Sequence, residues 1–467
     1  MSKSNNIKAL KSGVWYTATN FITKSIGFIT TPIFTRLLSH NDFGLYSNYN
    51  SWLVIFTVFA TLNLGSSFIS ARYDHEENFD GYVFSTLTLS SIVTVALAAV
   101  FNLFPSVFTD ITGLELRHLN IMVVYLLLFS AVELFQARER YYYKYKVSAA
   151  TSIIIAVSTA LLSVFLVVTM DNKLDGRIIG SALPTIIAGV LLYIVIIKRG
   201  KRVNVSYWKY ALPICLPFIP HALSLFLLNS MDKIMITKMC GAEDNALYSV
   251  AYSCGAAITM LVTSMNTAFS PWLGEKLHFK KYSEILKVSK YYILLFVFFA
   301  CGIMLLTPEL LLILGGSSYY EAVNVMPPVA FGCVCQFMYT LYVNVEQYNK
   351  KTIGMAFASI IAAVSNFVLN AIFIPQFGYI AAAYTTLASF AILLFIHMGL
   401  VKRMGLTCLY PSKLIFAVLI LMTVYMTVLQ ILFMNNMIRY IIIIIYIVFA
   451  IIVIVKYKDK IKRLFGK

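Results

Sequence analysis

The segment Tyr440 to Val455 contains Ile441 through Ile445 without a break, and apolar runs of this kind recur along the whole chain. About 20 apolar residues span a bilayer core of roughly 30 Å as a helix. Such spans fall near 12–38, 43–70, 81–104, 118–138, 148–170, 177–197, 210–237, 246–272, 290–314, 323–346, 352–374, 379–400, 413–434 and 437–455. Of the 467 residues, 60% are hydrophobic and only 12% charged, whereas a soluble domain carries about a quarter charged residues. The expected class is an all-α integral membrane protein with about 14 transmembrane helices. Met1 to Lys11 is polar and basic, and the segment after it keeps Asn20 and Lys24, too polar for a signal-peptide core.

The formal net charge is +17, which in a soluble protein would suggest nucleic acid. The placement of the charges argues otherwise. With the N-terminus inside, most Lys and Arg fall on cytoplasmic segments, including Arg138, Arg140, Lys198, Arg199, Lys402, Arg403 and the tail from Lys456. Arg36, Arg117, Lys173, Arg177, Lys238 and Arg439 fall outside. This asymmetry follows the positive-inside rule and predicts both termini in the cytoplasm. The charge sets topology and holds anionic membrane lipid, and no nucleic-acid partner is expected. Cys215, Cys240, Cys254, Cys301, Cys333, Cys335 and Cys408 form no CxxC pair and have no His at metal spacing. No cofactor and no metal is expected.

The stretch Asp42-Phe43-Gly44-Leu45-Tyr46-Ser47 returns 202 residues later as Asp244-Asn245-Ala246-Leu247-Tyr248-Ser249. Gly176 to Ser181 and Gly378 to Ala383 repeat the same offset, and Ser152 to Ser158 matches Ser359 to Ser365 at 207. Three collinear matches imply two related six-span halves. An even span count makes both halves enter from one side, related by an axis along the membrane normal. The expected division is an N-lobe at 1–200, a C-lobe at 201–405, and spans 13 and 14 with a basic cytoplasmic tail at 406–467.

Polar groups inside spans point to function, because each charge costs about 2.5–3.5 kcal/mol at the bilayer centre even on the lenient scale. The first span carries Asn20, Lys24, Pro32 and Arg36, and the second Asn63. The seventh carries His221 and Asp232-Lys233, the eighth Asn266. Those four spans are expected to face a wet cavity lined by Lys24, Arg36, Asn20, Asn63, Asp232, Lys233 and Asn266. For Lys24 the competing reading is a buried acid on another helix; for Arg36 it is snorkelling to the interface. Asp232 and Lys233 point about 100° apart on a helix and need not pair. His221 is a candidate for proton coupling, or else a satisfied core residue, and Glu133 is a candidate for a proton site or for the partner of a buried cation. Glu346, near an inner helix end, reads as solvated. Tyr46 and Tyr248 read as paired structural corners of an outer gate. The sequence contains no Walker A loop, HExxH or nucleophile–base constellation, so no enzyme is expected.

Thr30-Thr31-Pro32-Ile33-Phe34-Thr35-Arg36-Leu37-Leu38, followed by Asp42 to Tyr46, resembles the Wzx-type O-antigen and polysaccharide flippases. These belong to the multidrug/oligosaccharidyl-lipid/polysaccharide (MOP) exporter superfamily. Asp232-Lys233, Leu247-Tyr248-Ser249, Phe269-Ser270-Pro271-Trp272 and Gly378 to Ala383 extend the likeness over the second half. The resemblance implies two six-helix lobes in a MATE-like V plus two extra helices. It implies transfer of undecaprenyl-diphosphate-linked oligosaccharide repeat units, for O-antigen or capsule, across the bacterial inner membrane by alternating access. It also implies a cationic cavity for the diphosphate, and a polysaccharide polymerase and chain-length regulator as further partners. The alternatives are a cation-coupled drug or metabolite antiporter of the same fold, a lipid-linked peptidoglycan precursor flippase, or a membrane enzyme acting on the same lipid. The last would need a sizeable outer loop bearing catalytic residues, and the sequence shows none.

Overall fold

The computed structural model describes residues 3–465 except Tyr143, Pro217 and Lys350; side chains within 3–14 and 453–465, and a few others in helices, lie outside the described set. Every regular element among the described residues is helical. The α-helices are α1 (Lys3–Leu37), α2 (His40–Thr61), α3 (Phe68–Asp74), α4 (Phe79–Leu103), α5 (Pro105–Thr112), α6 (Leu116–Tyr141), α7 (Tyr145–Thr169), α8 (Lys173–Gly200), α9 (Ser206–Cys215) and α10 (Phe218–Met239). They continue as α11 (Ala242–Cys254), α12 (Ala256–His278), α13 (Tyr282–Leu305), α14 (Thr307–Leu314), α15 (Met326–Tyr348), α16 (Thr352–Phe377), α17 (Tyr379–Arg403), α18 (Ser412–Leu432) and α19 (Asn436–Phe465).

Each span expected from the sequence falls on a helix or on two consecutive helices. Nine helices among the described residues are long and apolar enough to cross a membrane, and α11 with α12, bent by 40°, would make a tenth. The chain is a multi-pass membrane protein. The helices α1, α2 and α10 fall outside that set; among their residues are Asn20 and Lys24, Asp42 and Asn48, and Asp232 and Lys233.

Local chemistry explains the helix starts. Ser39 caps α2, its Oγ accepting the Asp42 N–H at 3.0 Å; Asn78 caps α4 through the Gly81 N–H at 3.1 Å. Asn172 caps α8 through the Asp175 N–H at 3.0 Å. In each case a short polar side chain satisfies an N–H that the helix leaves free. Leu62 and Asn63, both left-handed with φ of 48° and 52°, end α2 and turn the chain.

The chain packs as two compact units. The first comprises Met1–Ser253 with Ile353–Ser389, and the second Cys254–Thr352 with Phe390–Lys467. In the first unit, α8 packs most extensively on α7 and α6. A Cβ at Gly180 would sit 2.5 Å from Ser163 Cα and 2.9 Å from Ser163 N, so the α7 backbone approaches α8 only because that side chain is missing. Small residues serve in this way between membrane helices, where lipid removes the hydrophobic drive for association. Gly180→Leu should cost about 1–3 kcal/mol of overpacking, read as a lower Tm in detergent; an unchanged Tm would contradict this packing.

Polar side chains tie the same unit together. Ser90 Oγ reaches the Ala60 carbonyl and Ser130 Oγ, both at 2.8 Å, linking α4 to α2 and α6. Arg138, expected as a cytoplasmic topology charge, is buried. Its Nε and Nη2 meet Asp80 at 2.5 and 3.1 Å, and Nη1 meets Glu139 at 2.5 Å. Arg199 adds a bond to Glu139 at 3.1 Å.

In the second unit, Arg439 is buried and bidentate to Glu309, with both N–O distances 2.6 Å. Glu346 is also buried here, its Oε1 2.8 Å from His397 Nδ1. This corrects the reading of Glu346 as solvated: a partner on α17 seals the end of α15.

Candidate functional site

Within the first unit the two copies of the repeated motif lie against each other. Ser47 and Ser249, equivalent positions in the repeat, share a hydrogen bond of 2.6 Å. Asn245 Nδ2 donates to the Gly44 carbonyl at 2.9 Å. Gly44 is required here, since a Cβ on it would lie 1.7 Å from the Ala242 carbonyl oxygen. The start of α2 thus meets the start of α11 backbone to backbone.

One helix deeper, Asp232 on α10 is 1% exposed. Its Oδ2 accepts from Tyr248 Oη at 2.7 Å and from Thr386 Oγ1 at 2.6 Å, and its Oδ1 accepts from Asn370 Nδ2 at 2.8 Å. Asn366 continues the network to Thr386 and Asn370, each at 3.1 Å, and Thr385 donates to Asn370. Four helices, α10, α11, α16 and α17, therefore converge on one carboxyl. Every group in this network other than Asp232 is neutral. Lys233 turns away and places Nζ 5.2 Å from the centre of the Tyr252 ring. Hydrogen bonds to the charged form of a carboxyl favour it, yet no fixed cation balances it among these partners. The groups around the carboxyl are hydroxyls and side-chain amides with no thiol or imidazole among them, a set that suits a proton or a hard cation rather than a soft metal. No cluster of three His, Cys, Asp or Glu that could hold a metal occurs among the described residues.

The other sequence candidates are dispersed. Asn20, Lys24 and Arg36 on α1 are exposed, with Arg36 Nη1 bonding the Pro32 carbonyl at 2.6 Å. Asn63 is half-buried at the left-handed turn after α2. Asn266, in the second unit, accepts from Asn344 Nδ2 at 2.7 Å. Glu133 is half-buried on α6, and its Oε2 is sealed without a hydrogen-bond partner. The His221 side chain lies outside the described residues. Sequence reasoning did not single out Asn366, Asn370, Thr385 and Thr386 around Asp232. A signal was present: Asn366 and Asn370 lie one turn apart in the otherwise apolar helix α16.

Many membrane helices around a buried carboxyl and joined copies of a repeat suit a transporter or flippase, and the sequence matches place the chain in the MOP superfamily. Residues 9–277, more than half of the chain, match the family model described as "Polysaccharide biosynthesis protein", and the chain belongs to that family. Residues 217–372 also match the MatE model. "Lsg locus putative protein 1" of Haemophilus influenzae is 23% identical over 290 residues, 59% of this chain and 68% of that one. Among solved structures, "Lipid II flippase MurJ, inward closed conformation" superposes with a TM-score of 0.74 at 15% identity, covering 96% of this chain and 100% of that one. A "multidrug resistance MATE family transporter of the MOP superfamily" in an inward-facing conformation gives 0.56 at 13% identity, covering 83% and 95%.

Proposed function

We propose that this protein flips undecaprenyl-diphosphate-linked oligosaccharide repeat units, of O-antigen or capsular type, across the bacterial inner membrane by alternating access. The observation that carries the reading is membership of the polysaccharide biosynthesis family, joined to a fold shared with a lipid II flippase. A lipid diphosphate needs cations along its route, and Lys24, Arg36 and Lys233 are assigned to it together with Asn20, Asn63 and Asn266. Both termini are placed in the cytoplasm, with lobes at 1–200 and 201–405 and the added spans at 406–467. The joined motifs at Ser47 and Ser249 then form an outer gate. Asp232 supplies the coupling charge by exchanging a proton or small cation, with His221 and Glu133 as further proton sites.

In a deletion strain with no redundant flippase, undecaprenyl-linked repeat units should accumulate in the cytoplasmic leaflet and surface polymer should disappear. Normal surface polymer would reject the reading. The buried Asp232 lies inside the MatE match and favours cation-coupled drug or metabolite efflux as a second reading. That reading predicts drug sensitivity on deletion with surface polysaccharide intact.

A further inference from the structure

Arg177, in the second turn of α8, belongs to the first unit and to none of the ion pairs described above. Its guanidinium lies between two aromatic rings. The Cζ atom is 3.7 Å from the centre of the Phe34 ring on α1 and 4.2 Å from that of Tyr46 on α2. The Nε and Nη1 atoms are closed off from the surroundings and bond to nothing, and the side chain as a whole is half-buried. The nearest acid in sequence, Asp175, is committed elsewhere. Its Oδ2 takes Arg117 Nη1 at 2.6 Å and its Oδ1 faces His118 Nε2 at 2.8 Å.

A permanently charged group is thus held by ring faces alone. Cation–π contacts are worth roughly 0.5–2 kcal/mol, and they satisfy no N–H. Arg177 therefore keeps a full charge and a set of unused donors at the end of a membrane helix. Charged groups in such segments normally pair with one another or mark a ligand path. The Nη2 group carries two N–H donors beside that charge, and the oxygens of a phosphate suit such a group in a membrane.

We propose that Arg177 is a phosphate-anion site of the first unit, with Phe34 and Tyr46 holding the guanidinium plane and Nη2 presented to the ligand. Two sources share this chemistry: the diphosphate of a lipid-linked substrate and the headgroup of a membrane phospholipid. Assignment to the substrate rests on the flippase reading above. In that case Arg177 would receive the diphosphate near the gate, because Tyr46 adjoins Ser47.

The full-length protein in phosphatidylcholine nanodiscs allows a direct test by native mass spectrometry with farnesyl diphosphate as the probe. Wild type should bind it saturably, and Arg177→Gln should weaken binding by about tenfold or more. Phe34→Leu, which removes one of the two rings holding the guanidinium but no charge, should weaken binding by less than Arg177→Gln does. Binding by a folded Arg177→Gln equal to wild type overturns the proposal. Should Arg177→Gln fail to fold, Arg177→Lys decides: it keeps the charge but has no planar guanidinium for the two rings to hold, so undiminished binding overturns the site. Competition by phosphatidylglycerol at equal potency assigns the site to the lipid headgroup, whereas selective binding of the diphosphate assigns it to the substrate. Diphosphate binding through Arg177 alongside normal surface polymer in a deletion strain would sink the flippase reading and leave the anion site standing. The reverse pattern would do the opposite.

Discussion

Asp232→Asn should leave the protein folded and abolish most of its transport. Asparagine has the same shape, and its Oδ1 can still accept from Asn370 or Thr386, so the packing of α10 against α16 and α17 survives. What disappears is the only charge in the network formed by Asp232, Tyr248, Asn366, Asn370, Thr385 and Thr386. If that charge exchanges a proton or cation during the cycle, transport should fall by about tenfold or more, equivalent to ~1.4 kcal/mol per factor of ten. Asp232→Ala should behave differently. It strands three buried donors, at about 1–3 kcal/mol each, and should lower Tm as well as activity. The measurement is flipping of a lipid-linked oligosaccharide by the purified variants, paired with thermal unfolding in detergent. Full transport by Asp232→Asn would make the network a structural tie only.

Gly44→Val should have the second large effect. The added Cβ would meet the Ala242 carbonyl oxygen at 1.7 Å and its carbon at 2.6 Å, both backbone atoms that cannot rotate away. The starts of α2 and α11 must separate, breaking the Asn245 bond to Gly44 and the Ser47–Ser249 bond. A second pair of substitutions reads this directly. Ser47→Cys with Ser249→Cys should form a disulfide under mild oxidation, since the hydroxyl oxygens already lie 2.6 Å apart. Peptide mass spectrometry distinguishes this link from the seven native cysteines, all free among the described residues. The link should arrest transport, reduction should restore it, and adding Gly44→Val should prevent it from forming. A linked protein that still transports would show that this contact does not open during the cycle.

The sequence announced the repeat through its constant 202-residue offset, yet the offset shows equivalence and says nothing of adjacency. That Ser47 and Ser249 touch depends on how α2 and α11 pack. Asp232 and Lys233 were visible as charges inside an apolar span. Their separate fates were not, because Tyr252 lies on the next helix, 19 residues from Lys233, and Thr386 is 154 residues from Asp232. Asn366, Asn370, Thr385 and Thr386 are individually ordinary in membrane helices, and only their convergence on one carboxyl marks them. Glu346 was misread because a helix end suggests water, whereas His397, 51 residues on, closes it. Arg177 was counted as an outer topology charge, and the rings that hold it come from two other helices.

Apolar run length and the scarcity of charge settled the class of this protein from sequence: in lipid the backbone must satisfy its own hydrogen bonds, so such runs can only be helices. The same runs fixed the order of the helices and where they turn. Tertiary structure alone decided which buried polar groups are paired and which are left wanting. The physical reason is range. Backbone hydrogen bonding and span length act within a few residues, whereas the partners of Asp232, Glu346 and Arg177 are side chains brought from distant helices by close packing.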